Sequence, residues 1–162
     1  MEFQRNKNKL VNGDPIAICK VSKTRGYKVK TVTLKEHIFE KYSDIIVEDS
    51  YFFCPEEDCD IVYFNNSEHQ YFSINDVKTR IFDKLRDKTI PICYCLNISE
   101  DKIIEEIVIK KCCSSLQDLK NYTGACTGKL CQITNPSGRC CNLQINKAIN
   151  KALELLNANQ LV

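Results

Sequence analysis

Apolar and polar positions change their rhythm twice along the chain. Residues 1–13 are rich in Asn and Lys and offer little to bury, which predicts a mobile lead-in. Beyond them, Tyr27 to Val32 alternates as a half-buried strand does, and Thr33 to Glu36 reads as a capping box that opens a short helix through about Tyr42. Tyr51-Phe52-Phe53 and Ile61-Val62-Tyr63-Phe64 are aromatic and β-branched and flank a cysteine-bearing turn, the pattern of a hairpin, with Tyr71-Phe72 as a third strand. Ser73 and Asp76 are placed to cap another short helix reaching about Leu85. The charged stretch 83–91 ends in proline and marks the expected boundary.

After it the period becomes helical. Ser99 is a candidate N-cap, Glu100 and Asp101 suit a first turn, and Lys110-Lys111 suit a C-terminus. Ile103, Ile104, Ile107 and Val108 share one face of that helix. A second helix is expected from Ser114 or Ser115, and a last one from about Asn142 to Asn157 after the turn signature at 135–138. Ile145, Ile149, Ala152, Leu153 and Leu156 line its buried face. The fold class expected is therefore α+β: a small zinc-ribbon-like β-hairpin part over 14–88, then an all-helical part over 89–160.

Composition narrows the function. The chain has 162 residues, with 23 basic against 21 acidic side chains, so it lacks the electrostatic footprint of a nucleic-acid binder. No apolar run approaches membrane-spanning length and no apolar signal core opens the chain, so a soluble, cytoplasmic protein away from the membrane is expected. Eleven cysteines is an odd count, and in a reducing compartment such a density points to metal rather than disulfides. No nucleophile–base pair, phosphate loop or cofactor fingerprint is present, which favours an electron-transfer or metallochaperone type of protein over an enzyme with its own substrate.

The cysteines fall into sets. Cys93 and Cys95 form a C-x-C pair, and thirty residues later Cys126 and Cys131 form C-x4-C. Four thiolates without a nearby histidine suit zinc or an iron–sulfur cluster, and spacing unlike the C-x2-C of a zinc knuckle favours a 2Fe–2S cluster. Cys54 and Cys59 sit on the turn of the expected hairpin, as zinc ribbons present half of their ligands. Cys112, Cys113, Cys140 and Cys141 are left over. Neighbouring side chains diverge, so Cys140 and Cys141 chelate one ion poorly and read first as packing thiols and second as soft-metal ligands, while Cys112 and Cys113 read as one buried and one exposed thiol at a helix end.

The 93–131 segment resembles the helical 2Fe–2S domain of the bacterioferritin-associated ferredoxin (BFD) family. A wider likeness, from about Asp14 to Asn150, is to the N-terminal region of the archaeal CopZ copper chaperones. It is carried by YFFCPEEDCDIVYF (51–64), VKTRI (77–81), ICYC (92–95) and TNPSGRCC (134–141). The resemblance implies a zinc-binding part followed by a BFD-like part with Cys93, Cys95, Cys126 and Cys131 as cluster ligands. At the zinc site Cys19 joins Cys54 and Cys59. The knuckle position expected to hold a further cysteine is Ser22, so His37, Asp60, His69 or Asp14 must supply the fourth ligand, His37 first among them. The function implied is single-electron transfer in copper handling, reducing copper(II) to copper(I) for a separate copper carrier or copper-transporting ATPase. No C-x-x-C copper loop occurs, so direct copper carrying is not expected. Two alternatives remain: a ferredoxin docking to an iron store or flavoenzyme as its redox partner, and a thiol-based copper- or zinc-binding or sensing protein.

Overall fold

The aromatic runs form a four-stranded antiparallel sheet in the order β1-β2-β3-β4: β1 (Tyr27–Val29), β2 (Tyr51–Phe53), β3 (Ile61–Asn65) and β4 (Gln70–Ser73). This computed structural model describes residues 15–160, so the lead-in expected over 1–13 lies outside the described residues, as does Asp14. Two compact units result: residues 15–86 together with Pro136–Gly138, and residues 87–135 together with 139–160.

Register explains the two faces of the sheet. Phe53 pairs with Tyr27 on one side and Tyr63 on the other, while Phe52 pairs with Phe64, and Phe64 with Tyr71. Side chains alternate across a pleated sheet. Phe53, Tyr63 and Phe72 therefore join Val29, Leu34, Ile38, Tyr51, Val77 and Ile81 in the main core. Phe64, flanked by Phe52, Ile61 and Tyr71, faces a second cluster made of Cys19, Cys54 and Cys59. Gly26 is required there: a Cβ at this position would fall 2.7 Å from the Phe64 ring and 2.8 Å from Phe52. Those two rings stack with centroids 5.6 Å apart, an arrangement that closes one side of the thiol cluster.

Some local expectations shift. β1 stops at Val29, and helix α1 (Thr31–His37) begins before the capping box proposed at Thr33. Both threonines have other work. Thr31 Oγ1 accepts the Asp49 N–H at 2.8 Å, and Thr33 is buried. The Ser73–Asp76 capping box does form, but it supports one 3₁₀ turn, Ile74–Asp76, rather than a helix to Leu85. Val77 turns extended to bridge Ile38, and only a single turn, α2 (Phe82–Leu85), follows.

The second unit departs from the all-helical expectation. β5 (Pro91–Cys93) pairs antiparallel with β6 (Ile98–Ser99), closing a hairpin whose tip runs through Asn97 at a φ of 57°. Ile90, Ile92, Cys93 and Ile98 are buried by it, a gain that an exposed first turn of helix would forgo. α3 (Glu100–Ile104) then starts at Ser99, whose hydroxyl accepts the Lys102 N–H at 3.2 Å, and runs on into a π-helical turn, Glu105–Ile109. α4 (Leu116–Thr123) is capped by Ser115 and ends at Gly124, with a φ of 77°. The one-turn α5 (Cys131–Thr134) and the long α6 (Asn142–Gln160) complete the unit. Ile103, Ile107, Leu119, Ile145, Ile149 and Ala152 form its apolar interior. No described helix is long and apolar enough to cross a membrane.

Candidate metal centres

The first unit gathers three of the predicted ligands. Cys19, Cys54 and Cys59 are all buried, and their sulfurs lie within 4.8 Å of one another. Cys19 leads a tight turn in which Lys23 N–H bonds back to the Cys19 carbonyl at 2.8 Å and Lys23 takes a φ of 62°. Cys54 and Cys59 bracket the turn between β2 and β3. At the position where a knuckle cysteine was expected, Ser22 Oγ lies 3.4 Å from Cys54 Sγ. His37, the expected fourth ligand, is not brought into this group. Its ring is buried, with Nδ1 2.7 Å from Thr79 Oγ1. Among the described residues neither Asp60 nor His69 joins the group.

The donor set fits a cation. Burial alone would raise the Cys19 thiol, yet hydrogen bonds from the Ser22 side chain and the Ser22 and Val21 backbone outweigh it and lower the pKa. Cys59 is pushed up to about 11, first by burial and then by the neighbouring Cys54 and Cys19. Three thiolates cannot share so small a dry space without a counter-charge, and a thiophilic divalent ion supplies it.

The second unit gathers the other predicted set and adds to it. Cys95 Sγ and Cys131 Sγ are 3.8 Å apart, with Thr134 Oγ1 3.0 Å from Cys95. Cys126, itself in left-handed backbone at a φ of 63°, directs its N–H at Cys93 Sγ over 3.5 Å. Such backbone in a residue with a side chain is costly, and it recurs where ligands are clamped. Cys141, read from the sequence as a packing thiol, lies with its sulfur 3.2 Å from Cys126 Sγ and is 1% exposed. Its S–H donates to Cys93, which lowers the Cys93 pKa and raises that of Cys141. Nothing in the spacing announced Cys141; the only signal was its nearness in sequence to the C-x4-C pair. Gly128 presses on the same set, since a Cβ there would come 2.4 Å from Cys95 Cβ.

Comparison with known proteins gives the chain its family. The family described as the CopZ zinc binding domain matches residues 16–78. The crystal structure of the N-terminal domain of CopZ from Archaeoglobus fulgidus superposes with a TM-score of 0.68 at 35% identity, covering 80% of this chain and 95% of that one. The chain belongs to the CopZ N-terminal-domain family. Copper chaperone CopZ of the same organism is 36% identical over 129 residues, 80% of this chain. This CopZ-family chain spans 60% of that relative's length. Metal handling is thus the common ground of the family and of the two thiol sets.

Proposed function

We propose that this CopZ-family chain is a zinc-stapled redox protein of copper handling, delivering single electrons that convert copper(II) to copper(I) for a separate copper carrier or a copper-transporting ATPase. The observation that carries the reading is the convergence of two thiol subsets in the second unit, Cys95 with Cys131, and Cys93 with Cys126 and Cys141. Two thiolates for each of two irons is the demand of a four-cysteine 2Fe–2S cluster, which when bound supplies one-electron chemistry. The relative's own name, copper chaperone, supports copper as the context.

The chain's residues do the rest. Cys93, Cys95, Cys126 and Cys131 are the ligands in this reading, with Cys141 a fifth thiol beside Cys126. The Cys126 N–H directed at Cys93 and the Thr134 hydroxyl beside Cys95 tune the sulfurs' electron density and hence the potential. Leu96, Leu130 and Ile133 are exposed on the segments that carry Cys95 and Cys131, apolar ground on which a redox partner can approach closely. Cys19, Cys54 and Cys59 hold zinc, with Ser22 or solvent completing the coordination, and their role is structural. A unit this small needs such a staple.

The test is metal and sulfide analysis with visible absorption on anaerobically purified protein, followed by copper(II) reduction. About two irons and one zinc per chain are expected, with a colour that bleaches on reduction. The reduced protein should reduce copper(II) faster than a Cys93→Ser variant does; equal rates would sink the copper role, and a colourless protein would sink electron transfer.

A second reading, a thiol-based copper-binding protein, draws on Cys141 beside exposed Cys140. Copper(I) titration of a Cys140→Ser/Cys141→Ser variant separates it from the first: unchanged binding excludes it.

A further inference from the structure

Glu106 is a buried carboxylate, its side chain 6% exposed, within the π-helical turn. One oxygen, Oε1, accepts from Lys102 Nζ at 3.0 Å and Lys110 Nζ at 2.9 Å. The other, Oε2, faces Cys112 Sγ at 3.0 Å. Cys113 is buried, and its sulfur lies 3.4 Å from that of Cys112. The three donor atoms are all within 4.8 Å of one another.

This convergence is made by an irregular backbone. In an uninterrupted α-helix, residues six apart are separated by about 9 Å along the axis and lie on different faces. Here Lys110 N–H reaches five residues back to the Glu105 carbonyl at 2.9 Å, widening the turn. Lys111 then takes a φ of 54°, and Cys112 N–H closes on the Glu106 carbonyl at 3.1 Å. The reversal lays two consecutive cysteines over the carboxylate. Adjacent cysteines ordinarily diverge; this turn makes them converge.

We propose that Glu106, Cys112 and Cys113 form a zinc(II) site of the second unit, distinct from both thiol sets described above. Two thiolates and a carboxylate are a borderline donor set suited to zinc, whereas copper(I) is satisfied by sulfur alone. A Zn–S distance of about 2.3 Å in tetrahedral geometry asks for roughly 3.8 Å between sulfurs, so the pair needs to open by only about 0.4 Å. Two Zn–S bonds form as two thiol protons leave to solvent, and Glu106 Oε2 exchanges the Cys112 S–H for the metal. Lys102 and Lys110 hold Oε1, fix the carboxylate's orientation and offset its charge. Cys112 is half-buried, so the fourth position opens to water and the ion can exchange.

The test uses the full chain, purified anaerobically and titrated with zinc(II) alone. Wild type should hold about one zinc more per chain than a Cys112→Ser/Cys113→Ser variant, and Glu106→Gln should weaken that extra site about ten- to hundredfold. Should the double variant fail to fold, iodoacetamide labelling of wild type read by mass spectrometry decides the matter: zinc should protect the Cys112–Cys113 peptide. Equal zinc in wild type and variant, or equal labelling with and without zinc, overturns the proposal. So does protection by copper(I) but not by zinc(II).

Discussion

In the first unit the sulfurs hang from the turns of a sheet whose opposite face is an aromatic core; in the second they hang from a short hairpin, a loop and the starts of α5 and α6. The sheet-held set is dry, close and limited to three thiols, with the Ser22 hydroxyl 3.4 Å from Cys54 Sγ. The loop-held set spreads over five sulfurs, with Cys95, Cys126 and Cys131 only partly buried. A sheet face fixes ligands through ring packing and leaves little for them to do but hold the fold. Loops leave sulfurs reachable, which one-electron exchange with a partner needs and a structural ion does not.

The contrast can be broken most sharply at the ligands. Cys93→Ser should remove the iron and the visible absorption while zinc at the first unit stays near stoichiometric. Cys54→Ser should do the reverse, loosening the first unit and leaving the absorption largely intact. Bleaching by Cys54→Ser, measured by absorption and metal analysis, would mean that the two sets are not independent. Comparing Cys131→Ser with Cys141→Ser sharpens the second set: the ligand variant loses its iron, and the other keeps it with a shifted potential.

Smaller effects follow from the glycines. Gly128→Ala should drive its methyl against Cys95 and lower iron retention, seen as a faster loss of absorption in the presence of a chelator. Gly26→Ala overpacks the Phe52–Phe64 stack and should cost about 1–3 kcal/mol, read as a lower Tm with the absorption unchanged. The smallest effect is electrostatic. Burial would raise the Asp76 carboxyl, but hydrogen bonds from Tyr42 and Ser73 prevail and hold it below its ordinary value near 3.8. A carboxyl depressed in the folded state contributes stability above its unfolded pKa and loses it as pH falls through the folded one. Asp76→Asn should therefore lower stability at neutral pH and flatten its acid dependence below about pH 4, checked by denaturant titration across that range.

Much of this was legible in the residues. The hairpin around Cys54 and Cys59, the third strand at Tyr71, the Ser99 and Ser115 caps and the long last helix all follow from local chemistry, and local chemistry is what a linear pattern records. The misses have tertiary causes. Thr31 and Thr33 read as strand end and cap until the Asp49 N–H and the interior claim them. The β5–β6 hairpin hides behind a proline and a helix cap, because its strands are too short to show alternation. His37 looked available as a ligand, but its burial beside Thr79 depends on a bridge between Ile38 and Val77 that no window of sequence displays. Cys141 was read as a packing thiol because its neighbour Cys140 points elsewhere, and its approach to Cys126 is made by a turn that no window of sequence displays.

Pro136–Gly138 belongs to the first unit although forty-nine residues of the second precede it. Tyr63, in the middle of the sheet, donates its buried hydroxyl proton to the Pro136 carbonyl at 2.5 Å, and Gly138 sits beside Val29 and Thr33 at a φ of 69°. During synthesis, then, the sheet emerges with the first unit's last three residues still unmade. At about 5–20 residues per second the ribosome leaves an interval of roughly 2.5–10 s before they arrive. Through that interval Cys19, Cys54 and Cys59 are already present, so their turn precedes the segment that completes the first unit's core.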